Sequence, residues 1–331
     1  MLKTLIAILT PALAVFLILT FMKGCFSMSA VPPPDGLAQI AEPSGHDSAS
    51  YSPSVPPAIE SEWGADAKFV LLHPLINGRD IGWFIFDTGA SGCTITADAA
   101  SAAALSPIGS TPLQNDTMTT VFRADELRLG PLLLRAIKLT GINMSSSSLA
   151  FGRPVVGILG RDITSVAIVE LDGPARAVRL HAPGSPPPPS TTPHSIEMIH
   201  ALPHLRCDYA GNNRGLFILD TGADAGIHFF DHAVQHAALL TSPSVTITSS
   251  RTQITLGSRA KIREGSIADF RIDARQYAPA RATFAEPNDV PSAMLNDADG
   301  LIGMRLLNRF DVFIDEPAAR IYVAEPPPPK H

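Results

Sequence analysis

The chain reads as a mainly β protein built from two similar lobes behind an N-terminal membrane segment. Three observations predict this. Residues 63–181 and 195–325 repeat one ordered set of short β-rich runs, tight turns and glycine-rich strands. Charged residues are 17% of the chain and 30 of its 331 residues are proline, which disfavours long amphipathic helices, while a hydrophobic content of 45% supplies a core. Residues 4–22 form an uncharged, mostly apolar run between Lys3 and Lys23, and about 20 such residues cross a bilayer.

Residues 1–30 therefore read as a signal-anchor with a transmembrane helix over 4–22. The run exceeds the roughly 7–15 apolar residues of a secretory signal, so a single-pass anchor is favoured over cleavage. Ser27-Met28-Ser29-Ala30 is a weak cleavage site, and Lys23 fits poorly with a lipoprotein signal at Cys25. The rest is expected on the extracytoplasmic or periplasmic side, membrane-anchored, or secreted if the N-terminus is removed. Residues 31–62 read as a Pro/Ser-rich linker, 182–194 as an interlobe linker and 326–331 as a tail. Seventeen of the 30 prolines fall in these stretches, so the lobes themselves have an ordinary proline content. A formal net charge of −6 excludes a basic nucleic-acid footprint. Three cysteines are too few for a disulfide scaffold, and Cys93 and Cys207 stand at non-equivalent places in the repeat.

The repeat is detailed. Lys68–His73, a turn at Asn77-Gly78 and the run Ile81–Phe86 lead into Asp87-Thr88-Gly89-Ala90-Ser91. Ile196–His200, a turn near Gly211-Asn212-Asn213 and the run Leu216–Leu219 lead into Asp220-Thr221-Gly222-Ala223-Asp224. Short β-rich runs about Asn-Gly-type turns are hairpin signals. Helices are expected over 97–105, after Thr96, and over 231–240. Later, Val155–Asp162 and Asp299–Arg305 each carry a Gly-apolar-apolar-Gly run, at 157–160 and 300–303. Asp-Thr-Gly-Ala is expected by chance at roughly 10⁻⁵ per position, and it occurs here twice in the same context.

These motifs resemble those of the aspartic proteases in their single-chain, two-lobed form, over residues from about 65 to 325. The resemblance implies the bilobal acid-protease fold, with two pseudo-symmetric β-lobes and short helices. It implies endopeptidase activity, with Asp87 and Asp220 catalytic about one water. Two carboxylates so close share a proton, so one serves as base to the water and the other as acid to the scissile carbonyl. Thr88 and Thr221 match the family's cross-bracing threonines, and Gly89 and Gly222 let the backbone approach the carboxylates. No cofactor or metal is implied. The partner is a polypeptide held extended between the lobes, and a monomer suffices because one chain holds both aspartates.

Ala90 and Ala223 resemble the retroviral type, in which no hydroxyl at this position favours the charged carboxylate. That raises the expected titration range and places the optimum at mildly acidic to neutral pH. No tyrosine occurs in residues 92–130, so a pepsin-like flap tyrosine is missing and a retroviral-like or reshaped flap is expected. Gly160-Arg161-Asp162 resembles a retroviral segment whose arginine pairs with an acid near the catalytic loop. The aligned residue in the second half is Met304, with Asp224 supplying the acid there. Two alternatives stay open: a catalytically weak peptide-binding or scaffold module of the same fold, and a mainly self-processing protease that cuts its own 31–62 segment. His228, His232 and His236 share a spacing of four but lack the carboxylate of a metal motif, and read as a partly solvated helix face. Trp83 reads as core packing or a subsite wall.

Overall fold

The computed structural model describes residues 28–64, 67–113, 117–144, 153–255, 258–286 and 297–324. The chain opens with β1 (Met28–Ala30), β2 (Ser48–Tyr51), β3 (Ala58–Ile59), β4 (Ser61–Trp63) and β5 (Val70–Leu72). Next come β6 (Leu75–Ile76), β7 (Arg79–Asp80), β8 (Trp83–Phe86), β9 (Thr94–Ile95) and helix α1 (Ala97–Ala102). Then follow β10 (Ser106–Pro112), β11 (Met118–Leu129), β12 (Leu132–Met144), β13 (Val155–Leu159), α2 (Arg161–Thr164), β14 (Ile168–Asp172) and β15 (Ala177–His181). The second half begins with β16 (Thr191–Ile199), β17 (Leu202–Tyr209), β18 (Asn213–Asp220), β19 (Ile227–Phe229) and α3 (Asp231–His236). It continues through β20 (Val245–Thr255), β21 (Ser258–Ile267), β22 (Phe270–Ile272), β23 (Arg275–Gln276), β24 (Ala280–Ala285) and β25 (Gly300–Gly303). Helix α4 (Met304–Leu307), β26 (Asp311–Asp315) and β27 (Arg320–Ala324) complete it.

The molecule is mainly β and two-lobed, with a few short helices. One sheet runs β4-β5-β8-β13-β9-β12-β11-β6-β7, with β1 and β2 added on β12 and β10 on β11. The other runs β20-β21-β24-β19-β25-β18-β17-β16-β27-β26-β14-β15-β3. Each half contains the same crossing: β13 lies parallel to β8 and antiparallel to β9, and β25 lies parallel to β18 and antiparallel to β19. Glycine makes the crossing possible. A Cβ on Gly157 would stand 2.2 Å from the Thr94 carbonyl oxygen and 2.5 Å from the Phe84 ring, and one on Gly300 would stand 2.0 Å from the His228 carbonyl oxygen and 2.8 Å from the Phe217 ring.

Local chemistry explains the turns. Asn77 and Gly78 both have positive φ, +50° and +71°, the type I′ geometry that closes β6 onto β7. In the second half the pair is Ala210-Gly211, at +44° and +89°, one residue before the expected turn. Thr96 accepts from the Ala99 amide and caps α1, which stops at Ala102 rather than Leu105. The second expected helix is α3, followed by a 3₁₀ turn at Leu239–Thr241.

Two stretches read from composition as linkers carry strands. Residues 31–62 supply β2, β3 and β4, paired with β12, β15 and β5. Residues 191–194, within the proline-rich 182–194, open β16 and pair with β27. Strands β14 and β15, from the first half, lie in the second sheet, where β14 pairs with β26. The expected transmembrane helix over 4–22 lies outside the described residues, and among those described no helix is long and apolar enough to cross a membrane.

The β14–β26 junction concentrates charge. Asp172 and Asp311 are Cα partners across it, beside Glu170, Arg179 and His181. Arg179 pairs with Glu170 and Asp172, whereas Asp311 Oδ1 is buried without a hydrogen bond. Burial, then the charges of Glu170 and Asp172, push the Asp311 carboxyl up to about 6. The folded state therefore holds a proton that the unfolded chain releases at lower pH, and this residue's contribution to stability falls as pH rises through that window. Asp311→Asn should raise the melting temperature at pH 7 and leave it nearly unchanged at pH 4. Equal shifts at both pH values would show that the charge is relieved.

Candidate active site

Strands β8 and β18 end in two matching loops. The Asp87 amide donates to the Leu159 carbonyl at 3.0 Å, which ties the first loop to β13. Each loop then folds back on its own aspartate. The Gly89 amide donates to Asp87 Oδ1 and the Gly222 amide to Asp220 Oδ1, both at 2.9 Å. The loops also grip the following helices, through Arg161 N to Ala90 O at 2.9 Å and Met304 N to Ala223 O at 3.0 Å.

Between the loops the threonines exchange places. Thr88 Oγ1 donates to the Leu219 carbonyl at 2.7 Å and accepts from the Thr221 amide at 3.1 Å. Thr221 Oγ1 donates to the Phe86 carbonyl and accepts from the Thr88 amide, both at 3.0 Å. The loops approach so closely that a Cβ on Gly222 would stand 2.5 Å from Asp87 Cγ. Asp87, Thr88, Gly89, Asp220, Thr221 and Gly222 thus form one buried unit.

Both aspartates are 0% exposed. Among the described residues no other group donates to Asp87 Oδ2 or Asp220 Oδ2, and the two carboxyls interact with each other. Burial raises the Asp87 carboxyl, against the opposing pull of the Gly89 and Ala90 amides. Burial and then the charge of Asp87 raise Asp220 further. Such a pair holds a proton where ordinary carboxylates have lost theirs. The alanines Ala90 and Ala223 are fully buried and bring no hydroxyl to the carboxylates.

The supporting ion pairs differ from expectation. Arg161 does not pair within its own loop, where Ser91 offers no charge. It reaches Glu316 in the β26–β27 turn at 2.5 Å, and Thr164 Oγ1 donates to the same carboxylate. In the second half it is Arg305, one place beyond Met304, that pairs with Asp224 at 2.6 Å. Asp162 occupies the place of Arg305, two residues past the shared glycine, and accepts from the Cys93 amide at 2.7 Å and the Gly45 amide at 2.8 Å. Sequence reading named Asp162 only beside Arg161, and missed the Arg305–Asp224 pair and the approach of residues 44–45.

Other residues lie elsewhere. His228 is in β19, buried against Thr283; His232 is in α3 and reaches Asp299 at 3.2 Å; His236 is exposed. Trp83 is half-buried at the start of β8, stacked on His73 at 4.6 Å with the Arg153 guanidinium over its ring. Cys93 and Cys207 are buried and free. The hairpin β10–β11 turns near Leu113, whose amide bonds the Thr117 carbonyl at 2.8 Å. Leu113 packs in the same apolar cluster as Ala90, so this hairpin reaches the region of the Asp87 loop.

Residues 74–163 match the aspartyl protease family. No curated protein matches the chain. Among solved structures, basic 7S globulin from soybean is similar at TM-score 0.46 and 7% identity, with 83% of this chain and 95% of that chain covered.

Replacing Thr88 with valine keeps the shape but strands the Thr221 amide and the Leu219 carbonyl in a dry interior. A buried polar group left unpaired costs about 1–3 kcal/mol. Thr88→Val should therefore lower the unfolding free energy by about that much in urea titration. A loss below about 0.5 kcal/mol, the bottom of the net range for one hydrogen bond, would show that the brace carries no load.

Proposed function

Because residues 74–163 match the aspartyl protease family, we propose that the chain is an aspartic endopeptidase whose catalytic pair is Asp87 and Asp220. The observation that carries this reading is the joining of two identical Asp-Thr-Gly-Ala loops into one buried unit by reciprocal threonine bonds. Two carboxyl groups buried side by side are costly to ionise together and are eased by sharing a proton, which supports this reading.

The chemistry follows from the titration. With one proton on the pair, the ionised carboxylate takes a proton from a bound water. The resulting nucleophile attacks the scissile carbonyl while the protonated carboxyl donates to its oxygen. Collapse of the tetrahedral intermediate returns a proton to the leaving amine and restores the singly protonated pair. No acyl-enzyme forms. Gly89 and Gly222 hold the inner oxygens, Thr88 and Thr221 hold the loops, and one chain supplies the whole site. The substrate is a polypeptide, bound extended along strand edges between the lobes. We place the protease outside the cytoplasm, tethered through residues 4–22; that part rests on sequence alone. Full-length protein should then sediment with membranes and resist extraction by alkaline carbonate, and recovery in the soluble fraction would overturn the tether.

Asp87→Asn and Asp220→Asn should each abolish cleavage of an unstructured protein such as casein. Each should also raise the melting temperature at pH 7, because the amide removes a carboxyl that is costly to ionise in the folded state. Both carboxyls are raised, so the shared proton survives to higher pH than in an ordinary carboxylate pair. The rate is expected to peak at mildly acidic to neutral pH and to fall on the alkaline side as that proton leaves. A maximum near pH 2–3, or cleavage surviving either substitution, would overturn the assignment.

A further inference from the structure

Each lobe lays one row of residues across its sheet beside its aspartate. In the first lobe the Cα partners run from Leu71 to Ile85, then to Ile158, Thr94 and Thr140, across β5, β8, β13, β9 and β12. In the second they run from His204 to Ile218, then to Leu301, His228 and Thr283, across β17, β18, β25, β19 and β24. The parallel and antiparallel steps agree at every strand. Leu71 thus corresponds to His204, Ile85 to Ile218, Ile158 to Leu301 and Thr94 to His228.

These rows share a face with the carboxyl groups. Side chains alternate along a strand, so Ile218 and Asp220, both in β18, point the same way. Phe217 and Leu219 point the other way, into the main core, as Phe84 and Phe86 do beside Ile85. Ile85 and Ile158 pack with Ala90 in one small cluster, and Ile218 and Leu301 with Ala223 in another, each apart from the main core. A peptide that reaches the aspartates therefore lies against both rows. The reciprocal threonine bonds relate the two loops by an approximate twofold axis, so matched row positions face mirror places about the bond being cut.

The rows differ in chemistry, with Leu71 and Thr94 in the first and the buried His204 and His228 in the second. The His204 Nδ1–H donates to the Leu202 carbonyl at 2.9 Å. His228 Nδ1 lies 2.7 Å from Thr283 Oγ1, and its ring meets Phe230 edge to face at 5.6 Å between centroids. Burial lowers both histidines, and with the Arg251 charge it takes His228 down to about 3. At mildly acidic to neutral pH each is therefore an uncharged ring with one N–H donor and one acceptor nitrogen. Beside such a wall an amide or hydroxyl side chain keeps its hydrogen bonding, whereas an aliphatic one desolvates polar atoms with nothing in return.

We propose that His204 and His228 determine substrate preference on the second-lobe row, selecting uncharged hydrogen-bonding side chains such as Gln, Asn or Ser, while Leu71 gives the matched place on the first-lobe row an aliphatic preference. The inference rests on the endopeptidase reading for the peptide and on the matched rows for its geometry. Full-length protein is given a mixed peptide library, and the cleaved bonds are read by mass spectrometry. Amide or hydroxyl side chains should be favoured at one position near the cut, and Leu or Ile at its mirror across the bond. His204→Leu, which copies the first lobe, should move its position toward Leu and Ile by about tenfold, the scale of one hydrogen bond. His228→Val should do the same at its own position. His204→Gln keeps a hydrogen-bonding group and should keep the polar preference. Leu71→Gln should move the mirror position toward Gln and Asn by about the same factor, and it decides the matter if His204→Leu does not fold.

Unchanged profiles in the variants would overturn the proposal. So would identical profiles for His204→Leu and His204→Gln, the result expected of a histidine that only supports the fold. The same library passed over immobilised protein reads recognition apart from turnover. Selection of amide and hydroxyl side chains by a protein that cuts nothing, lost in His204→Leu, would leave this inference standing and remove the endopeptidase reading. Neither selection nor cleavage would overturn both.

Discussion

Two carboxyl groups forced together in a dry interior repel each other as soon as both ionise, so the frame around them has to be stiff. Here the stiffness comes from four hydrogen bonds made by two threonines. Thr88 and Thr221 each donate to the main chain of the opposite strand and accept from the opposite loop's amide, over sequence separations of 131 to 135 residues. Each threonine hydroxyl and each threonine amide there has a reciprocal partner in the other half. Loss of either hydroxyl leaves the other half with groups that neither water nor protein can satisfy. Most of the rest can be read as support for this exchange: β13 and β25 lie beneath the loops, and α2 and α4 hold their outer carbonyls.

The frame is shared, but what fills it is not. The second-lobe core is aromatic, with Phe217 in edge-to-face contact with Tyr209, Phe229 and Phe270 at 5.2 to 5.6 Å, and Phe284 stacked on Phe229. The first-lobe core leans on aliphatic side chains such as Val70, Leu72, Ile76, Leu127 and Ile137 around Phe84 and Phe86. A crossing set by backbone sterics and glycine tolerates either filling. The charges near the loops diverge more sharply, with Arg305 facing Asp224 in one half and Asp162 taking amides in the other. Pseudo-symmetry is strict where the backbone is crowded and relaxed where side chains can compensate.

That division also explains what could be read from the residues alone. The paired loops, the glycine-rich strands and the Asn77-Gly78 turn are legible because each needs particular residue types at a fixed spacing within a few positions. The partner of Arg161 is not, since Glu316 lies far along the chain and only the sheet order brings it near. Residues 31–47 are harder still. Their proline- and serine-rich composition reads as a tether, and short, largely exposed stretches paired through the main chain leave no alternating side-chain pattern to detect. Strands β2 to β4 escaped for the same reason.

Strand β14 finds one of its neighbours, β26, only near the end of the chain: Val169 pairs with Ile314 and Asp172 with Asp311. During synthesis, then, the first half cannot finish its own edge, and Thr88 has no Leu219 carbonyl to hold until the second half exists. Contacts of such long range are late to form and slow to nucleate. The order of manufacture thus becomes a safeguard. A partly made chain contains one aspartate loop without its counterpart, and the pair forms only once both loops have been made.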